Sequence, residues 1–251
     1  MKKPTPLRLP TAEAYAELQH AFDHFNEALF DGELPECLFT FQREKRSYGY
    51  FSSERFVHRD GKTTTDEIAI NPSYFAVVPL SEVLQTVVHE MVHAWQFHFG
   101  KPSRKGYHNQ EWAEKMEAIG LMPSSTGAPG GAKTGEKMAD YAIEGGPFLQ
   151  ASATLLEKDF KVSWLDRFPP PPPENSPRNR QSSAQSLASL PSQTQSLVQA
   201  PPEEAVNRSN RVKQKCPSCG AQAWGKPGLL LKCGEIDCDA ADYIVADQVA
   251  D

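Results

Sequence analysis

Between Thr11 and Phe30, large apolar side chains return at alternating three- and four-residue steps: Tyr15, Leu18, Phe22, Phe25 and Leu29. That spacing lays them along one stripe of an amphipathic helix, which "FDGELP" ends through Gly32 and Pro35. The short β-rich runs "CLFTFQ" and "SYGYFS", separated by the charged "REKR", predict two strands paired as a hairpin, and "DEIAINP" predicts a third strand closed by Pro72. A second helical pattern runs from Ser81 to Phe99, with Ser81 as its N-cap and Gly100 as its stop. Leu84, Val87, Val88, Met91, Val92, Trp95 and Phe99 gather on one face of it, while Gln85, His89, His93 and Gln96 project from another. A further helix is expected from Asn109 to Ile119, ended by Gly120. "PSSTGAPGGAKTG" reads as a long loop, and "MADYAIEGGPF" and "LLEKDFKVSW" as irregular or strand-like additions. The elements together predict an α+β domain with a small antiparallel sheet over residues 11–165.

Past Asp166 the pattern lapses. Residues 166–211 are rich in proline, serine and glutamine and too poor in large apolar side chains to offset the entropy of ordering, so they are expected to form a disordered linker. Cysteine and apolar residues return over residues 212–251, which predicts a small β-type second unit. The 21 prolines in 251 residues fit this division, being too many for one compact domain. A net charge of −6 and a pI near 5.7 argue against nucleic-acid binding by bulk charge; it would need a local patch. The opening "MKKPTPLRLPTAEAY" lacks the apolar core of a signal peptide, and no run is long and apolar enough to cross a bilayer. The expected location is the cytoplasm, with nucleoid association as a variant of it and no membrane partner; thiols there stay reduced.

The polar face of the second helix carries chemistry. His89 and His93, four residues apart, can hold one zinc ion, and Glu90 directly after the first is placed to act as acid/base on a water that the metal activates. A metzincin would carry glycine three and histidine six residues after His93; Gln96 and Phe99 stand there instead. His98 falls on the apolar flank, which leaves His108 and Glu111 as candidate third ligands. At the far end, Cys216, Cys219, Cys233 and Cys238 form two close pairs around a hairpin-sized spacer, the layout of a zinc ribbon. A unit of that size has too little core to fold alone, so the metal would supply much of its stability. Cys37, inside a strand pattern, reads as a core residue. Acids slightly outnumber bases beyond Arg211, yet Arg208, Arg211, Lys213 and Lys215 crowd just before the first cysteine. With Trp224 as a stacking surface they are the candidate DNA contacts.

"LFDGELP", "YGYF", "EIAINP", "HEMVHAWQ", "GYHNQEW" and "AIGLMPSSTG", in that order, resemble the SprT-like zincin family, to which the Spartan DNA–protein-crosslink proteases belong. The resemblance spans roughly Ala14 to Phe148. It implies a zincin-like fold, a zinc ligand set of His89, His93 and His108, and Glu90 as the catalytic acid/base. It further implies a zinc endopeptidase that acts on proteins held on DNA. Two zinc ions are therefore expected, one catalytic and one structural. The expected partners are a protein substrate and DNA or a DNA-bound protein. A non-proteolytic nucleic-acid or transcription-complex adaptor using the zincin domain as a scaffold is the alternative, and intact Glu90 weighs against it. A peptidase for a narrow soluble peptide is a third reading.

Overall fold

The structure, a computed structural model, describes residues 9–44, 47–170, 197 and 211–245. The chain divides into two compact units, Met1–Ala200 and Pro201–Asp251. The expected linker falls mostly outside the described residues.

The first unit opens with α1 (Pro10–Phe30), whose buried face is Leu18, Ala21, Phe22, Phe25 and Phe30, close to the stripe read from the sequence. Asp31 closes it in the left-handed conformation. Three strands follow: β1 (Cys37–Phe41), β2 (Gly49–Val57) and β3 (Thr64–Ile70). Their order is β1-β3-β2, with β3 parallel to β1 and antiparallel to β2. The expected hairpin of the first two strands is therefore replaced by a β2–β3 hairpin, and the sheet is mixed instead of antiparallel throughout. The cause lies in the side chains. Asp66 to Ile70 are buried in unbroken succession, so β3 needs cover on both faces and a neighbour on both edges. β2 is largely exposed over its second half and suits an edge. Its register slips between Ser52 and Phe56, where Glu54 sits at φ 47° and its N–H donates to Asp66 Oδ1 at 2.6 Å.

The central helix, α2 (Leu80–Phe99), packs against this sheet and α1. Its N-cap is Pro79 with no side-chain cap, so Ser81 lies inside the first turn and not at the cap. Gly100 does end it. Leu84, Val87, Val88, Met91 and Val92 enter the core as their spacing requires, whereas Phe99 is half-exposed. At its far end His98 Nε2 meets Asp66 Oδ2 at 2.6 Å, tying the helix to the residue that braces the β2 bulge. Then come α3 (Gln110–Ala118), β4 (Leu121–Ser124) and β5 (Ala139–Ala142), the last two paired antiparallel, and α4 (Pro147–Glu157). The sequence pattern missed α4 because its inward face is Phe148, Ala151, Ser152 and Leu155, only two of them large and apolar. Gly120 turns the chain between α3 and β4 at φ 90°, where a Cβ would meet the backbone nitrogens of Pro147 and Phe148 at 2.9 Å.

The second unit is a three-stranded antiparallel sheet of β6 (Val212–Lys215), β7 (Gln222–Gly225) and β8 (Ile244–Val245), with β6 in the middle. Its core is Cys216, Cys233 and Cys238, with Ala221, Ala241 and Tyr243 packed against them. None of the described helices in either unit is long and apolar enough to cross a membrane.

Candidate metal centre

Two histidines reach the site from α2 at helical spacing and the third from the residue before the cap of α3. Asn109 caps α3 by accepting the Trp112 N–H at 3.1 Å, and its side chain also accepts from Gln96 Nε2 at 2.7 Å and donates to the Lys101 carbonyl at 3.0 Å. The cap of the helix that follows His108 is thereby pinned to α2 and to the chain leaving it.

Ligand atoms of His89, His93 and His108 all lie within 4.8 Å of one another, and the His93 and His108 Nε2 atoms are 3.1 Å apart. Tetrahedral zinc with bonds of 2.0–2.1 Å places its ligand nitrogens about 3.4 Å apart, so this donor set fits the ion. His89 Nδ1 is engaged by Asp140 Oδ2 at 2.8 Å and His108 Nδ1 by the Gly135 carbonyl at 3.0 Å, which leaves Nε2 of each ring for the centre. Trp112, fully buried, forms the floor: its ring centre is 5.0, 5.3 and 4.4 Å from those of His89, His93 and His108, stacked on the second and edge-on to the others. Burial first, then the neighbouring histidines, holds the His93 ring well below its ordinary pKa; burial likewise brings His108 down to about 4. Both rings are thus neutral and ready to bind a cation at neutral pH. Glu90 is buried on the same helix.

Glu111, the rival third ligand, is committed elsewhere. Its Oε2 accepts the Lys101 N–H at 2.6 Å and Gln96 Nε2 at 2.8 Å, and a Cβ on Gly100 would lie 2.6 Å from it. Those bonds hold its carboxyl below the usual range, the Lys101 N–H most of all. The cluster that could hold a metal takes His108 and not Glu111.

Residues 18–130 match the model of the SprT-like family. A 62-residue stretch, 25% of the chain, is 61% identical to a Salmonella typhimurium protein described as "Uncharacterized protein in mucB 3'region" and covers 84% of it. This chain belongs to the SprT-like family. Membership supports a zinc-dependent, protease-like domain, and the three-histidine cluster lies within the matched span.

Outside the SprT-like match, Cys216, Cys219, Cys233 and Cys238 converge as a second cluster, with Cys219 and Cys233 Sγ 3.6 Å apart. Tetrahedral zinc with bonds of about 2.3 Å sets its sulfurs about 3.8 Å apart, so four thiolates fit the ion here as well. The Cys219 N–H, above all, lowers the Cys216 thiol, while hydrogen bonding from Cys219 raises that of Cys238. Cys37 stays apart from both clusters. It is buried, and burial with Asp66 and Glu36 pushes its thiol up to about 12.

Of the candidate DNA contacts, Lys213 pairs across strands with Trp224, and Lys215 with Gln222 and Ile244. Cross-strand partners share a face, and Gln214, which alternates with the two lysines, is buried. Lys213, Lys215 and Trp224 therefore stand together on the exposed side of the sheet, with Lys213 Nζ 5.8 Å from the Trp224 ring centre. Arg211 is exposed just before β6, and Arg208 lies outside the described residues.

Sequence reasoning missed Asp140 and Gly135, which touch two of the three clustered histidines. No motif marks either, since the Asp140 contact spans 51 residues. The signal that was present is Gln85, placed one turn before His89 on the polar face without a named partner; its Nε2 donates to Asp140 Oδ1 at 2.6 Å.

Proposed function

We propose that this SprT-like protein is a zinc-dependent endopeptidase that cleaves proteins bound or crosslinked to DNA, with the four-cysteine unit as its DNA-recruiting module. The observation that carries the hydrolase half is the convergence of three imidazoles, two with Nε2 left to the centre, with buried Glu90 next to His89 in the chain. Zinc held there would supply Lewis acidity, polarising the scissile carbonyl and bringing the pKa of water towards neutrality. His89, His93 and His108 are its ligands in this reading. The Glu90 carboxylate takes a proton from the attacking water and delivers it to the departing amine nitrogen as the C–O bond forms and the C–N bond breaks. Trp112 keeps water from the back of the imidazoles.

The recruiting half is supported by the shared face of Lys213, Lys215 and Trp224, two cations and one ring on which a base can stack. Arg211 extends that basic edge.

The test is cleavage of a protein crosslinked to DNA by the wild-type chain and Glu90→Gln, with and without single-stranded DNA. Cleavage by wild type alone, stimulated by DNA, is expected. Equal activity in both chains would remove Glu90 from the chemistry, and indifference to DNA would remove the recruiting role.

A further inference from the structure

Two of the three clustered histidines are set by one segment, and it lies outside the family match. Gly135 and Asp140 come after residue 130, where the SprT-like match ends. Gly135 exchanges both backbone hydrogen bonds with His108, at 2.8 and 3.0 Å, and its carbonyl also meets His108 Nδ1. Asp140, on β5, is 2% exposed and meets His89 Nδ1.

A carbonyl oxygen and a carboxylate can only accept, so at each contact the imidazole Nδ1 must carry the proton, and in the neutral ring that leaves the lone pair on Nε2. Both rings are thus fixed in the tautomer, and turned to the angle, that a cation at the centre requires. Asp140 is itself braced. Gln85 Nε2 donates to its Oδ1 at 2.6 Å and to its backbone carbonyl at 2.9 Å, holding side chain and strand together from the helix that carries His89. A buried carboxylate is costly unless paired and hydrogen-bonded, and its negative charge at this place also favours a nearby dication.

We propose that residues Gly135–Asp140 form a positioning strap for the metal centre, in which Asp140, braced by Gln85, orients His89 and raises metal affinity. Asp140 and Gln85 are positioning residues and not ligands. The proposal rests on the reading of His89, His93 and His108 as a metal centre, and its test separates the two.

The experiment titrates cobalt(II) into the full chain carrying Trp224→Phe. Quenching of Trp112, which packs on all three imidazoles, then reports the histidine centre without an indole in the cysteine unit. Asp140→Asn keeps the volume and loses the charge; it is expected to weaken cobalt binding roughly 10- to 100-fold. The melting temperature of its metal-free form should match that of the parent, which a merely structural role would not leave unmoved. Wild-type affinity in folded Asp140→Asn overturns the strap while leaving the metal centre standing. No cobalt-dependent quenching in the parent overturns both. Should Asp140→Asn fail to fold, Gln85→Met decides: several-fold weaker binding is expected, and unchanged affinity overturns the role of the brace and of the carboxylate it holds.

Discussion

His93 and His108 are held neutral by burial, and this has a consequence for the metal-free protein. A histidine whose folded pKa is below its unfolded one takes up protons more readily in the unfolded chain. Stability is then fully present above the ordinary value of 6.5 and is lost as pH falls towards about 4, the value to which His108 is brought. Urea midpoints of the metal-free chain should fall between pH 7 and pH 5, and the fall should be shallower in His108→Asn. Metal would raise stability at each pH yet steepen the fall, because the cation keeps protons off the same nitrogens in the folded chain only. Glu90 makes the opposite case. Changing it to Gln should leave metal content intact and lower kcat by about 10²-fold or more, read by steady-state kinetics on the purified chain. That His89 and His93 meet at one cluster was legible from their spacing alone, because i and i+4 share a face whatever the rest of the chain does.

The elements that place those residues were legible in unequal measure. α1 and α2 follow from their own apolar spacing and α3 lies within its expected span; their C-caps are Asp31, Gly100 and Ile119, where Gly32, Gly100 and Gly120 were the expected stops. The strand pairing was not legible, because neighbours in a sheet are chosen by which strand must be covered on both sides. The buried run at Asp66 to Ile70 outranks sequence adjacency in deciding that. α4 hid behind alanine and serine for a related reason: at close helix packing a small residue is an inward one, and spacing of large apolar residues cannot see it. The junction of α2 and α3 rests on polar contacts that no periodicity reveals. The Asn109 side chain serves the Trp112 N–H and the Lys101 carbonyl, and shares Gln96 Nε2 with Glu111. Asn109→Ala should therefore cost about 2 kcal/mol, a lost cap together with unpaired neighbours. It should also weaken metal binding, since His108 immediately precedes the cap. A thermal melt and a chelator competition on the same sample would read both; full metal affinity in the destabilised variant would mean that Gly135 alone holds His108.

For the molecule as a whole, the two units rest on different physics. The first has a continuous core from α1, α2, α3, α4 and the sheet, and its last described stretch is fastened back onto it. The Ser163 N–H donates to Glu17 Oε2 at 2.9 Å, Trp164 Nε1 to Glu13 Oε2 at 2.9 Å, and Arg43 pairs with Asp166. A cut at Arg167 would fall one residue from that last contact, whereas a chain ending at Pro170 keeps all three. The cysteine unit has little beyond its thiol core, and Leu230 and Ile236 are 91% and 97% exposed. Its order should depend on metal in a way that of the first unit does not. Removing zinc with a chelator should therefore abolish protection of β6 and β7 amides from hydrogen exchange while α1 and β3 stay protected. A chain of residues 1–170 should in turn cleave an unfolded peptide as fast as the full chain but lose its stimulation by single-stranded DNA. Stimulation that survives the truncation would place the nucleic-acid contact on the metal-centre unit and leave Lys213, Lys215 and Trp224 as an ordinary solvated face.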